Sequence, residues 1–311
     1  MALYVQTNVS SINAQRKLTN ATNNLNVNYQ RLASGLRINS SKDDAAGLQI
    51  SDRLTSQING LNQGNRNTND GIALAQTIEG ALDETTNMLQ RIRVLAVQSA
   101  NGTNTAEDRK ALQEEVKSLS EEITRIAKQT TFAGKLILDG AGTPDKTLIP
   151  ANGKANQGQL VFQVGANKGD TIALKWSKGF HMSGIMTQAT MTPGTNGVQG
   201  FTRVGGANGP YIFTVETVSK ANGVLGNIDK MIQLVDSKRA ELGALQNRME
   251  SSIRNQANVS ENQADARSRI RDTDFASETA ALTQNNIIQQ ASQSILAQAN
   301  QRPTIALSLL G

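Results

Sequence analysis

The stretch ALQEEVKSLSEEITRIAK, residues 111–128, decides the fold class of this chain. Its apolar side chains recur at alternating intervals of four and three residues: Leu112, Val116, Leu119, Ile123 and Ile126. This spacing keeps one face of a helix apolar along its whole length, which packing against another helix requires. Thr105, with Asp108 three residues later, predicts a capped start for this helix.

A second helical pattern lies N-terminal to this stretch. From Val5 to Ala33 apolar residues recur at intervals of seven, apart from one slip of a single residue: Val5, Ile12, Leu18, Leu25 and Leu32. Gly35 is expected to end this helix because glycine readily adopts the left-handed capping conformation. Ser41 is expected to cap the next helix, which has two acids in its first turn and extends to about Ala100.

One segment of that long helix has an unfavourable composition. Residues 59–71 read NGLNQGNRNTNDG. Each glycine costs about 1 kcal/mol relative to alanine in a helix interior. Only packing against neighbouring elements is expected to keep this segment helical.

The C-terminal part repeats the helical pattern. Apolar residues follow the same heptad spacing at Leu225, Ile228, Ile232, Val235, Leu242, Met249 and Ile253. A charged joint over 267–274 separates them from a final helix, which includes Ile288 and Ile295 and is expected to end before Pro303. An apolar tail that includes Leu309 and Leu310 closes the chain.

The middle of the chain contains turns and short strands. Residues 159–164 and 171–174 flank a glycine-containing turn and predict a β-hairpin, and 211–215 is a possible further strand. The predicted fold class is therefore mainly α: a long antiparallel helical rod or coiled coil formed from both chain ends, with a β-hairpin and a small insert of strands and loops.

Composition excludes several classes of function. Cysteine is absent, so thiol catalysis, thiolate metal sites and disulfides are excluded. His181 is the only histidine, and no zinc-binding motif accompanies it, so we expect neither an enzyme nor a cofactor. The N-terminus resembles no cleavable signal peptide, and no stretch is apolar enough to span a membrane.

The net charge of +5 raises the question of a polyanionic partner. The basic residues before Asp43 are scattered among Asn, Thr and Gln, with few aromatics. Nucleic-acid binding usually requires a clustered basic surface, so we expect no nucleic-acid partner.

The terminal helices have narrow apolar faces rich in Ala, Asn and Gln. We infer that these helices gain stability mainly on association with other molecules, as disordered segments that fold on binding do. An intramolecular coiled coil with frayed ends explains the same periodicity, and the residues alone leave both alternatives open.

Four segments resemble the bacterial flagellins. Residues 32–50 (LASGLRINSSKDDAAGLQI) and 90–100 (QRIRVLAVQSA) are similar to the N-terminal signature of that family. Residues 268–275 (SRIRDTDF) and 294–310 (SILAQANQRPTIALSLL) are similar to its C-terminal signature. The resemblance covers about 1–175 and 223–311. The order of the four segments and their position at both chain ends also match the family.

The resemblance implies a domain organisation and a function. An inner domain of paired terminal helices is expected over 1–43 with 270–311, a helical rod with the hairpin over 44–175 with 223–269, and a short variable surface insert over 176–222. The implied function is that of a secreted subunit that polymerises into the extracellular flagellar filament used for swimming. A seam for subunit assembly is expected at Val5, Ile12, Leu18, Leu25, Leu32, Ile288, Ile295, Leu309 and Leu310.

The resemblance also implies partners. These are further copies of the chain, an export chaperone on the C-terminal helical region, hook-associated junction and cap proteins, and the flagellar type III apparatus, which exports the chain unfolded. The vertebrate Toll-like receptor for flagellin is expected to contact Gln90, Arg91, Leu95, Gln98 and Glu115. Three alternatives are less favoured: a hook–filament junction protein, a cytoplasmic coiled-coil or nucleic-acid scaffold, and an enzyme on a flagellin scaffold.

Overall fold

The computed structural model describes residues 7–140, 146–149, 158–176, 178–189, 200–203 and 210–308, without the side chains of 302–308. The chain forms two compact units, one of Met1–Asn59 with Val259–Gly311 and one of Gly60–Asn258. These units do not test the domain boundaries expected above, which stay predictions.

Helices dominate the described residues, which confirms the predicted fold class. The helices are α1 (Val9–Ser34), α2 (Ala45–Ala100), α3 (Ala106–Gln129), α4 (Met182–Gln188), α5 (Val218–Arg271) and α6 (Phe275–Ser308). The strands are β1 (Thr131–Phe132), β2 (Lys135–Leu136), β3 (Gln159–Gln163), β4 (Thr171–Lys175), β5 (Phe201–Arg203) and β6 (Tyr211–Phe213). They form three antiparallel pairs, β1–β2, β3–β4 and β5–β6, so the predicted hairpin and the further strand are both confirmed.

Two predicted helix ends are confirmed. Gly35 follows α1 with φ of 71°, and its N–H donates to the carbonyl oxygen of Arg31. Thr105 caps α3 in a complete capping box with Asp108. In each case the local sequence supplies the group that the helix end requires.

The predicted cap of α2 at Ser41 is wrong. The backbone N–H of Gly47 donates to Asp44 Oδ1 at 2.9 Å, so Asp44 caps the helix that begins at Ala45. Asp43 Oδ2 instead accepts from the backbone N–H groups of Asn39 and Ser40. An aspartate caps a helix as well as a serine does, and local sequence did not distinguish the two positions.

The predicted end of the last helix before Pro303 is also wrong, because the backbone of α6 stays helical to Ser308. Proline removes one N–H donor but biases the preceding residue rather than forbidding helix there. The alanine and leucine that follow it favour helix.

The core of the larger unit is built from α2, α3 and α5. The predicted apolar face of α3 lies on this core, with Val116 and Ile123 fully buried and Leu112, Leu119 and Ile126 packed against it. The buried residues from α5 are Ala221, Val224, Ile228, Met231, Val235, Leu242, Leu245 and Met249. The heptads of the sequence therefore correspond to an intramolecular core in this unit.

Segment 59–71 is helical, as expected if packing holds it there. A Cβ at Gly60 would lie 2.8 Å from the Cβ of Ala166, and one at Gly64 would clash with the carbonyl oxygen of Val164. The side chain of Asn67 donates to the carbonyl oxygen of Gln163 at 3.0 Å. The glycines therefore admit the end of the β3–β4 hairpin against the helix backbone.

Side chains from two helices satisfy the backbone around β6. Gln113 Nε2 donates to the carbonyl oxygen of Phe213 at 3.0 Å, and Gln113 Oε1 accepts from the N–H of Val215 at 2.6 Å. Ser99 Oγ donates to the carbonyl oxygen of Val215 at 2.5 Å. These buried hydrogen bonds attach β6 to α2 and α3 as a further strand would.

The surface insert expected over 176–222 stays a prediction. In the single chain its large side chains lie in the core of the larger unit. Trp176 stacks on Phe180 with ring centroids 4.6 Å apart, and Phe213 is fully buried against Phe201.

The smaller unit pairs α1 with α6 in an antiparallel arrangement. Polar contacts recur along the pair: Asn8 with Ala299, Ser11 with Asn300, Thr22 with Gln289, Asn28 with Asn285, and Arg31 with Glu278. The buried apolar residues between the two helices are small, apart from Leu25. The pair is therefore defined by polar contacts more than by apolar burial.

Candidate assembly and receptor surfaces

The predicted assembly seam divides into two groups within the smaller unit. Leu25 is 4% exposed and Leu18 and Leu32 are half-buried, so they contribute to the contact between α1 and α6. Ala14, Ala21 and Ala299 complete that contact. The expected seam did not include these alanines because it was assigned to larger residues, although the terminal helices were expected to be rich in alanine.

The second group faces solvent. Ile12 is 59% exposed, Ile295 56% and Ile288 40%, and Ile287 beside them is 63% exposed. The α1–α6 contact occupies the face that carries the alanines, and these isoleucines lie outside it. Val5, Leu309 and Leu310, also predicted for the seam, lie outside the described residues.

Four of the five predicted receptor residues lie on the surface of the larger unit. Gln90, Arg91 and Gln98 are exposed on α2, and Glu115 is exposed on α3. Arg91 Nη2 lies 2.7 Å from Glu115 Oε1, and Arg91 Nε donates to the same oxygen at 2.8 Å. This ion pair is more than two-fifths exposed on both sides, so it contributes little to stability and stays accessible to a partner.

The fifth residue, Leu95, does not offer the exposed apolar contact expected of it. Its side chain is 1% exposed and lies in the hydrophobic core with Ile92 and Ala96. Val94 is 56% exposed, and it follows Arg91 by three residues and precedes Gln98 by four, which places all three on one helix face. The receptor residues expected from the sequence did not include Val94, although helical spacing from Arg91 places it on the same face.

The only histidine belongs neither to the expected seam nor to the expected receptor residues. His181 precedes α4, and its Nδ1 is 3.5 Å from Asp139 Oδ1. Burial lowers the pKa of His181, and the Asp139 charge opposes that effect. No hydroxyl group of the described residues hydrogen-bonds its ring, and no cluster of metal-ligating side chains occurs in the part of the chain that the structure describes. Among the described helices, none is long and apolar enough to cross a membrane.

Comparisons with known proteins find relatives of both helical ends of the chain. Models of the bacterial flagellin N-terminal and C-terminal helical regions match residues 5–143 and 225–310. Flagellin B of Vibrio anguillarum is 39% identical over 379 aligned positions that cover 100% of both chains. Because this alignment is longer than the 311 residues of the chain, the relative has residues that the chain lacks.

A comparison with solved structures matches Bacillus cereus flagellin at 27% identity and a TM-score of 0.45 over 61% of this chain and 88% of that chain. A putative flagellar hook-associated protein from Vibrio parahaemolyticus has 16% identity and a TM-score of 0.54 over 74% of this chain and 100% of that one. At that identity the second likeness shows the fold alone. The two matched helical regions and the full-length relative establish that the chain belongs to the bacterial flagellin family, the subunits of the flagellar filament.

Proposed function

We propose that this chain polymerises through α1 and α6, with further copies of the chain covering the exposed isoleucines Ile12, Ile288 and Ile295. The observation that carries this proposal is the helix pair itself. Its internal contact uses alanines, three leucines and polar pairs, while these isoleucines stay on the outside. Burying such side chains is worth about 1.5–3 kcal/mol each, and neighbouring subunits provide that burial.

A double variant tests this seam. Ile288→Ser with Ile295→Ser should leave the monomer folded, because both side chains are exposed, and should abolish seeded filament growth. Gln293→Ser, at an exposed polar position of the same helix, is the matched control. Sedimentation and electron microscopy measure filaments, and undiminished growth of the double variant would reject the seam.

The apolar tail provides a second test of assembly. Deleting the residues after Pro303 should leave a soluble monomer that no longer polymerises. Seeded growth that equals that of the full chain would contradict the role of Leu309 and Leu310.

Export is the second part of the proposal. The flagellar type III apparatus secretes the chain unfolded with an uncleaved N-terminal signal, and an export chaperone shields the C-terminal helical region until then. The exposed isoleucines of α6 support a need for shielding. The mass of the secreted chain tests the signal, since removal of N-terminal residues during secretion would contradict it. Hook-associated junction and cap proteins are the proposed neighbours at the filament ends.

Recognition by the vertebrate Toll-like receptor for flagellin is the third part. The proposed contacts are Gln90, Arg91, Gln98 and Glu115, since they are exposed and Arg91 offers a planar donor fork. Leu95 acts through packing only, because its side chain is buried.

Arg91→Ala should weaken receptor activation by the monomer. Arg93→Ala removes a similar exposed ion pair, with Asp229, and should signal as the unmodified chain does. If Arg91→Ala activated the receptor as strongly as Arg93→Ala and the unmodified chain at all concentrations, the receptor contact would lie elsewhere.

A further inference from the structure

The described residues include three Asn-Gly pairs whose surroundings differ in one respect. Asn59-Gly60 lies within α2, Asn222-Gly223 lies within α5, and Asn101-Gly102 lies between α2 and α3. The asparagine of every pair is exposed. Access to water is therefore similar at the three positions, and the backbone conformation distinguishes them.

The helical pairs are held in place. In a helix the ψ angle of asparagine is fixed, and the N–H of the following glycine is engaged with the carbonyl group four residues earlier. Gly60 is further confined, since its Cα faces Ala166 closely.

The pair between the helices lacks these restraints. Among the described residues, nothing accepts a hydrogen bond from the Gly102 N–H, and the side-chain amide of Asn101 has no hydrogen bond. A Cβ at Gly102 would meet nothing within 4 Å. The Gly102 nitrogen is therefore free to approach the side chain of Asn101 without steric hindrance.

We propose that Asn101 is a site of spontaneous deamidation, which makes it a modification site of the folded chain. The Gly102 nitrogen attacks the side-chain carbonyl carbon of Asn101, a C–N bond forms, and ammonia leaves with the proton of the Gly102 N–H. Water then opens the resulting succinimide at one of its two carbonyl groups. The net change is amide plus water to carboxylate plus ammonium, with aspartate or isoaspartate as the product.

The two products differ in their effect on the joint between α2 and α3. The carbonyl oxygen of Asn101 accepts from Arg109 Nη2 at 3.0 Å and from the N–H of Asn104 at 3.4 Å. Aspartate leaves the main chain unchanged and adds a negative charge near the Arg109 guanidinium. Isoaspartate adds a methylene group to the main chain and displaces that carbonyl oxygen.

Peptide mapping of the aged, full chain tests this proposal. Trypsin releases the three pairs in separate peptides, because Arg or Lys lies on both sides of each pair. After incubation at mildly alkaline pH, mass spectrometry should find conversion of Asn101 at least about tenfold faster than conversion of Asn59 or Asn222, since only its glycine is unrestrained. Equal conversion of the three asparagines in the folded chain, or an unchanged Asn101, would overturn the proposal.

Two controls separate the effect of backbone conformation on the deamidation rate from the effect of local sequence. In denaturant the helical pairs should convert as fast as Asn101, because the neighbouring residues become equally mobile. Gly102→Ala should slow conversion of the folded chain by about tenfold, since a Cβ restricts the attacking nitrogen. The open space around Gly102 lets this variant fold, and rapid conversion of Asn101 in it would reject the mechanism.

Discussion

At the residue scale, Gly60 and Gly64 explain how an unfavourable helical segment persists. Their missing side chains let the end of the β3–β4 hairpin approach α2, with Ala166 against Gly60 and Val164 against Gly64. The hairpin in return places Phe162 near Gly71 on the same helix. The helix propensity lost at the glycines is offset by a contact that no larger residue permits.

Gly64→Ala should therefore destabilise the chain, although alanine favours helix. The new Cβ meets the backbone oxygen of Val164, and overpacking of this kind costs about 1–3 kcal/mol. Gly80→Ala, at an exposed position of α2 with nothing within 4 Å, should stabilise by about 0.5–1 kcal/mol. Denaturant unfolding measures both. Stabilisation by both variants would show that the hairpin does not pack closely against Gly64.

The capping carboxylate of α3 predicts a dependence of stability on pH. Hydrogen bonds from the backbone and side chain of Thr105 lower the pKa of Asp108 below its ordinary value of 3.8. A carboxylate with a lowered pKa stabilises the folded chain above its ordinary pKa, and this contribution is lost as pH falls through the folded-state value. Asp108→Asn should therefore be less stable than the unmodified chain at pH 7, and the difference should shrink in strong acid. A difference that stays constant from neutral to acid pH would contradict this role of the carboxylate.

At the element scale, β6 depends on side chains rather than on a second neighbouring strand. Gln113 supplies one donor and one acceptor to Phe213 and Val215, and Ser99 supplies another donor. The sequence predicted α3 from its apolar face, but it gave no indication that the polar Gln113 between those residues would be buried.

Gln113→Met keeps the length of the side chain and removes both hydrogen bonds. A buried carbonyl oxygen and a buried N–H then lack a partner, which should cost about 2–4 kcal/mol of unfolding free energy. Hydrogen exchange should rise first at β5 and β6. Lys110→Met, at an exposed position of α3, is the control and should change neither measurement.

The outcomes for individual elements show which signals local sequence contains. Periodicity predicted α3 and the helical course of α2, because an apolar face repeats with the helix itself. It did not identify Asp44 as the cap of α2, since several capping residues lie together before Ala45. The burial of Leu95 and the partners of Gly64 depend on residues distant in sequence, and local patterns do not encode them.

At the scale of the whole molecule, the two units differ in how they are stabilised. The larger unit buries aromatic, leucine, isoleucine and methionine side chains from helices and strands together. Between α1 and α6 the smaller unit buries only Ala14, Ala21, Leu25 and Ala299 among its described apolar side chains, and its other interhelical contacts include polar pairs such as Asn28 with Asn285. Its larger buried side chains, Ile38 and Ile58, lie outside α1 and α6. A neutral polar pair contributes about 0.5–1.5 kcal/mol, less than a large buried apolar side chain, so the smaller unit is expected to open more readily.

Hydrogen exchange on the dilute monomer and on the filament measures this difference. In the monomer, amides of α1 and α6 should exchange much faster than those of α2 and α5 in the larger unit, because local opening depends on the apolar surface that holds each helix. In the filament, α1 and α6 should become protected as neighbouring copies cover Ile12, Ile288 and Ile295. The Ile288→Ser and Ile295→Ser variant should show the monomer pattern at every concentration. Strong protection of α1 and α6 in the dilute monomer would mean that the helix pair is complete by itself, and assembly would then have to use another surface.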